Sequence, residues 1–139
     1  MEWNKSLATG VEEFDKMYPV LIENVEAILR LLASSRTVTD YRRHVEAIKM
    51  EFINLFSYQE VMMMQQKYPQ YYQHKHHHEQ FIDKLDDIAS QFSSDYFGST
   101  TAAQVENVIK NWFMQHIFMY DKIWGQYTTG DLGKSKKQK

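Results

Sequence analysis

The sequence predicts an all-α fold, an antiparallel up-down-up-down four-helix bundle with an N-terminal arm. Three observations predict it. Only five Gly and two Pro interrupt 139 residues that are well supplied with Leu, Met, Glu, Gln and Lys. Apolar residues recur at alternating steps of three and four along four separate stretches. The first two links between those stretches are short, which favours antiparallel neighbours. With 43% hydrophobic and 24% charged residues, the chain has enough apolar surface for one core.

Residues 1–11 precede the first stripe, and Trp3 and Leu7 mark them as an arm packed over one end. The first helix carries Phe14, Tyr18, Leu21, Val25, Ile28 and Leu32 on one face and ends near Ser34-Ser35-Arg36. Pro19 disfavours helical geometry at Tyr18, so a later start or a kink is expected there. The second helix shows Tyr41, Val45, Ile48, Phe52, Leu55, Gln59 and Met62, with Thr39 as the expected N-cap. The third is opened by Pro69 and shows Tyr71, His74, His78, Phe81, Leu85, Ile88 and Phe92. The fourth follows a capping-box pattern, Thr101 to Gln104, and shows Val105, Ile109, Trp112, His116, Met119 and Ile123. The bundle domain is thus expected over residues 1–129. Residues 130–139, Gly-Asp-Leu-Gly followed by a lysine-rich end, read as a flexible basic tail.

Sixteen Lys+Arg against eighteen Asp+Glu leave a net charge of −2, so nothing argues for a nucleic-acid partner. No Cys is present, which excludes disulfides, thiolate metal sites and Cys nucleophiles and leaves any metal to His and carboxylate ligands. No apolar run is long enough to span a membrane, and the first residues lack a signal-peptide pattern, so a cytoplasmic protein is expected. Neither a Ser/His/Asp set nor a Gly-rich phosphate loop is found, and no enzyme activity is expected.

The informative residues are His74, His78 and His116, which fall on the core stripes and not on polar faces. In an up-down-up-down bundle the start of the first helix, end of the second, start of the third and end of the fourth share one end. Tyr18, Leu55, Gln59, His74, His78, His116 and Asp121 then converge at one level. His74 and His78 are one turn apart, about 6 Å of rise, a spacing at which both imidazoles reach one metal. Asp121 fits less simply, because five residues of ideal helix put it about 140° from His116. His76 and His77 point elsewhere on the third helix, solvated or supporting the ligands, and His44 is too far along the second helix to reach the site. Met62, Met63 and Met64 suit core filling better than copper. The plainer alternative is a metal-free polar core in which Tyr18, Gln59 and Asp121 hydrogen-bond the three imidazoles.

The chain resembles the hemerythrin family, in its bacterial form, over roughly residues 1–127. The resemblance rests on Trp3, on Gly10-Val11 leading into Phe14-Asp15, and on Glu60, Met63 and Tyr68-Pro69. Its strongest parts are His74-x-x-x-His78 with Phe81, and Trp112-x-x-x-His116-Ile117 followed by Asp121. It implies a four-helix bundle with a non-haem di-iron site of five His and two bridging carboxylates that binds oxygen reversibly. Three of those seven positions differ. Tyr18 and Leu55 stand at His ligand positions, and Gln59 stands at a bridging Glu. What the resemblance retains is His74, His78 and His116, the ligands of one iron, and Asp121, the other bridge. Glu60 matches an acidic residue of the family that is not a ligand.

Both His of the second iron are missing, so the expectation is a metal-binding protein with a reduced site. It would hold one iron, with zinc or manganese also compatible, for oxygen, iron or redox binding or sensing rather than di-iron oxygen carriage. Dioxygen or another small molecule is the expected ligand. Tyr18 and Gln59 are candidates for additional ligands or for hydrogen-bond partners of the ligands, whereas Leu55 offers no donor. Three alternatives stay open: a metal-free interaction or structural module, a dinuclear site with improvised ligands, and a mononuclear metalloenzyme with Tyr18 as acid or redox partner. No protein partner or mode of self-association is legible.

Overall fold

Each of the four long helices carries one apolar stripe, and the stripes are buried by turning all of them toward a common axis. The structure, a computed structural model, describes residues 7–90 and 99–130, of which 99–101 by backbone alone. The elements are α1 (Glu12–Ala33), α2 (Val38–Gln65), α3 (Tyr71–Ser90), α4 (Ser99–His116), a π-helical segment (Ile117–Asp121) and α5 (Lys122–Thr129). Helices α1 and α2, α2 and α3, α3 and α4, and α4 and α1 pack against one another, which closes a four-membered ring. Trp3, Phe92 and the basic tail from residue 131 lie outside the described residues.

The centre of the ring is aromatic. Phe52 of α2 meets Phe81 of α3 edge-on at 4.7 Å and Phe113 of α4 at 5.1 Å. These contacts tie three helices through one ring, in the edge-to-face geometry that the aromatic quadrupole favours. Phe14, Val25 and Leu32 complete the core from α1, and Tyr41 and Ile48 extend it along α2.

The helix boundaries differ from the sequence expectation in four places. The α2 N-cap is Thr37, whose side chain accepts from the Asp40 N–H, so Thr39 lies inside the first turn. Helix α1 begins at Glu12 and runs through Pro19. Tyr18 is fully buried there, and tertiary packing outweighs the one backbone hydrogen bond that a proline forgoes. Helix α3 opens at Tyr71, with Pro69 in the turn before it. Helix α4 opens at Ser99, which places Thr101 within its first turn rather than at its cap.

The segment before α1 is tied to both α1 and α5. Asp15 reaches back with Oδ1 to the Thr9 N–H and hydroxyl at 2.8 and 2.9 Å, and with Oδ2 to the Gly10 N–H at 3.1 Å. Gly10 turns there with φ of +86°, a conformation that favours glycine. The Thr9 carbonyl then lies against α5 at Gly125, where an added Cβ would come within 2.0 Å of it. This explains why Gly10-Val11 and Phe14-Asp15 occur together: the carboxylate closes the loop that sets the start of α1.

The fourth stripe departs most from expectation. Up to His116 it follows the predicted order, with Val105, Ile109, Trp112 and His116 buried. Beyond it, Met119 and Ile123 are exposed at 60% and 43%, and Ile117, Asp121 and Trp124 are buried instead. The cause is the π segment. The Lys122 N–H bonds the Ile117 carbonyl, an i→i+5 bond that takes one more residue per turn than an α-helix does. The inward face therefore shifts by one residue after His116.

Candidate metal centre

That one-residue shift brings Asp121 onto the face of His116. His116 and Asp121 arrive from the end of the fourth stretch, His74 and His78 from the first two turns of α3, Gln59 and Glu60 from the end of α2, and Tyr18 from the start of α1. The convergence expected from the topology is realised, and all four of His74, His78, His116 and Asp121 are buried to 1% exposure or less.

The three imidazoles present the same atom to the centre. His116 Nε2 lies 3.0 Å from His78 Nε2 and 3.2 Å from His74 Nε2. Asp121 Oδ1 lies 2.9 Å from His74 Nε2 and 3.0 Å from His116 Nε2. One donor atom from each residue falls within 4.8 Å of every other. Ligands bound at about 2.0–2.2 Å around one ion stand roughly 3 Å apart as neighbours, so the spacing suits a single metal. Three neutral imidazole nitrogens and one carboxylate oxygen also fit iron(II), zinc(II) or manganese(II) by donor type.

A hydrogen bond on the outer side of the cluster selects the tautomer of His78. His78 Nδ1 lies 2.9 Å from Glu60 Oε2. A carboxylate accepts only, so His78 carries its proton on Nδ1 and turns a bare Nε2 inward. The Phe56 ring stacks on His78 at 3.9 Å and 3°, fixing the imidazole plane. His116 is stacked against Trp112 at 4.4 Å, and its Nδ1 meets His77 Nδ1 at 2.7 Å. His74 Nδ1 finds no hydrogen-bond partner among the described residues. His77 thus contacts His116 from outside the group of candidate ligands. His44, as expected, is remote: it pairs with Ser35 where α1 meets α2 at the other end.

The remaining positions form a hydrogen-bonded chain. The Tyr18 hydroxyl donates to Asp121 Oδ2 at 2.6 Å, and Gln59 Nε2 donates to the Tyr18 oxygen at 3.0 Å. Tyr18 has one proton and spends it on Asp121, so the Gln59 amide must point its nitrogen at the phenol. Gln59 Oε1 is left buried without a hydrogen-bond partner among the described residues. Leu55 carries no polar atom on its side chain. It lines an apolar cavity of about 390 Å³ between α1 and α2, together with Met17, Val20 and Leu21. A second cavity, about 260 Å³ between α2 and α3, reaches the outer edge of His78 beside Phe56 and Glu60.

Protonation in the site follows from burial and from these contacts. Burial, and then the neighbouring His116 and His74, push the His78 imidazolium well below the usual histidine range. Burial also lowers His116, against the opposing pull of Asp121. Burial alone would raise the Asp121 carboxyl, but His116 and His74 overcome it and hold Asp121 well below the usual carboxylate range. Burial, reinforced by the Asp121 charge, raises the Tyr18 phenol well above 10, so it stays a neutral donor. His78 and His116 are thereby held neutral beside an ionised Asp121, the protonation state a cation requires of them.

No protein-family profile matches the sequence, and a comparison with curated proteins gives no match either. The solved structures do match in shape. A wild-type hemerythrin crystal structure superposes with a TM-score of 0.71 at 18% identity, covering 90% of this chain and 95% of that one. A crystal structure of a leucine-to-phenylalanine mutant gives the same TM-score at 20% identity, covering 90% of this chain and 94% of that one. The fold is therefore hemerythrin-like, and inside it lies a buried His/Asp cluster with the composition of a metal site. No helix among the described residues is long and apolar enough to cross a membrane.

Proposed function

We propose that the chain is a metal-binding protein that holds a single iron on His74, His78, His116 and Asp121 and uses it to bind or sense dioxygen or a similar small ligand, without turning over a substrate. The observation that supports one ion over two is the pairing of Tyr18 with Asp121. The hemerythrin resemblance makes Asp121 a bridge whose two oxygens serve two irons. Here Oδ1 faces His74 and His116, while Oδ2 accepts the Tyr18 hydroxyl. The phenol stands where the resemblance expects a second iron's ligand, and Leu55 and Gln59 supply neither an imidazole nor a carboxylate in compensation.

The residues present hold a cation in an unequal field. Asp121 neutralises one charge and the three imidazoles are neutral, so a divalent ion keeps a net positive charge at the centre. A bound iron(II) supplies an electron-rich centre at which a small diatomic ligand can be held. Around it Phe56, Phe113, Trp112 and Trp124 exclude water, and Tyr18 offers a neutral hydroxyl beside the carboxylate. Glu60 and His77 hold two of the imidazoles in the orientation that binding needs.

Elemental analysis of the full chain, produced with iron supplied, tests this reading. One metal per chain, lost in His78→Ala and in His116→Ala with the helical content kept, is the expected result. Two irons per chain would overturn the single-ion assignment. No metal above the level of the variants would leave the cluster as a polar core and favour an interaction module.

A further inference from the structure

We propose that His77 is a positioning residue for the metal site: it accepts a hydrogen bond from His116 and so holds His116 in the tautomer whose Nε2 lone pair faces the ion. The inference rests on the proposed metal-binding reading and assigns a role to a residue that is not itself a ligand. His77 comes from α3 and His116 from the end of α4, and their Nδ1 atoms meet at 2.7 Å. A hydrogen bond between two Nδ1 atoms contains one proton, so one ring donates and the other accepts. A neutral His116 that gives Nε2 to a metal carries its proton on Nδ1. His77 must then be the acceptor and carry its own proton on Nε2.

The surroundings of His77 are built for that geometry. Trp112, His116 and Tyr120 are spaced by four residues and stack in a column along their helix. The His116 ring lies within 12° of both neighbours, at 4.4 Å from Trp112 and 5.3 Å from Tyr120. His77 enters the same stack from α3. It lies 4.7 Å from Trp112 and 4.3 Å from Tyr120, with its ring 15° from the plane of His116. Two imidazoles held edge to edge between two aromatic faces cannot easily rotate about χ2, so the Nδ1 contact is maintained. Glu60 performs the corresponding service for His78 with a carboxylate. The difference has a chemical consequence. A neutral acceptor fixes the tautomer of His116 without adding a second negative charge to a site whose only carboxylate among the candidate ligands is Asp121.

Zinc(II) titration of the full chain against a chromophoric chelator, with four proteins compared, tests the role. His77→Phe keeps a ring in the stack and removes the acceptor. It is expected to weaken zinc binding about 10–100-fold, as loss of a ligand's supporting hydrogen bond typically does, with the helical content of the metal-free protein kept. His77→Gln, whose amide oxygen can accept, is expected to recover most of the loss. In zinc-loaded, 15N-labelled wild-type protein, long-range 1H–15N correlations should place a proton on His116 Nδ1 and none on His77 Nδ1. That measurement decides the matter should His77→Phe fail to fold, and a proton on His77 Nδ1 would overturn the assignment. Zinc binding that is lost in His116→Ala but retained within twofold in a folded His77→Phe overturns the role of His77 alone. Binding indifferent to His116→Ala overturns the metal site itself, and the role of His77 with it.

Discussion

The Tyr18 hydroxyl and Asp121 Oδ2 stand 2.6 Å apart across 103 residues of sequence, joining the first turns of α1 to the π segment. Both groups are buried, and each satisfies a polar atom that the other would leave unpaired. Tyr18→Phe removes the proton that Oδ2 accepts and the oxygen that receives Gln59 Nε2. Leaving buried partners unsatisfied costs about 1–3 kcal/mol, so the metal-free variant should lose roughly that much stability in urea titration at neutral pH. Tyr58→Phe is the contrast. Its hydroxyl also donates to a carboxylate, Glu13 at 2.8 Å, but at the surface, and its loss should leave the urea midpoint close to that of the wild type. Equal effects for the two would mean that the buried bond contributes no more than an exposed one.

The proposed single-ion site makes Tyr18, Leu55 and Gln59 the three side chains to change for a second set of donors. Tyr18, Leu55 and Gln59 are all buried. In a fold that superposes on hemerythrin with a TM-score of 0.71, their replacement should rebuild a second set of donors. The triple variant Tyr18→His, Leu55→His and Gln59→Glu is expected to take up two metals per chain by elemental analysis, with the wild-type protein taking up one. A triple variant that folds and still holds one ion would show that α1 and α2 stand too far from Asp121 to share it.

Acid should unfold the metal-free protein earlier than its carboxylates alone require. Burial keeps His78 and His116 neutral below the usual histidine range, and it lowers half-buried His77 to about 4. In the unfolded chain these rings protonate near 6.5. Below that pH the unfolded state binds more protons, so stability falls as pH falls from about 6.5 toward 4. Asp121 adds to the loss at lower pH. Its folded carboxyl lies below the usual range, so its contribution is present above about 4 and disappears as pH drops through the folded value. Glu60 works the other way, since burial raises its carboxyl and the folded state binds that proton first. Urea midpoints at pH 7.5, 6 and 5 should decline, and His78→Gln should flatten the decline. A wild-type midpoint constant over that range would show that the imidazoles are not held neutral.

The four stripes, their order and the end at which the histidines meet were legible because they depend only on the 3.6-residue period and on short links. His74 and His78, one turn apart on α3, needed nothing more. Local devices were less legible. Thr37 and Thr39 both suit an N-cap by residue type, and only the chain's entry angle selects Thr37. Pro19 reads as a breaker because the sequence does not show how completely Tyr18 and Phe14 are buried around it. Glu60 and His77 are polar residues beside ligands, and their role depends on which ring nitrogen they meet, a matter of side-chain rotation rather than of spacing. The largest miss was the register after His116. Met119 and Ile123 fit the regular period, and Asp121 and Trp124 fit it equally well once a residue is skipped. A carboxylate and the bulkiest side chain falling together on one alternative face was the available signal for the π segment.

The π segment yields a prediction that separates angular placement from any other role. Asp121 follows His116 by five residues, an offset of about 140° in a regular α-helix and a matching face only because one turn is widened. Deleting Met119, which is exposed at 60%, leaves the aspartate four residues after His116. A regular α-helix would then carry it within about 40° of the same face, and Trp124 would keep its inward position. The deletion variant is therefore expected to fold, to lose the π bonds, and to bind zinc within a few-fold of wild type. Tyr120 moves from the fourth to the third residue after His116, which should loosen its stack on His77 and account for the remaining loss. Inserting an alanine between Tyr120 and Asp121 does the opposite, turning the carboxylate about 100° further away, and should abolish the site. Should the deletion lose metal as completely as the insertion, the widened turn must supply something more than the direction of Asp121, such as its depth toward Tyr18.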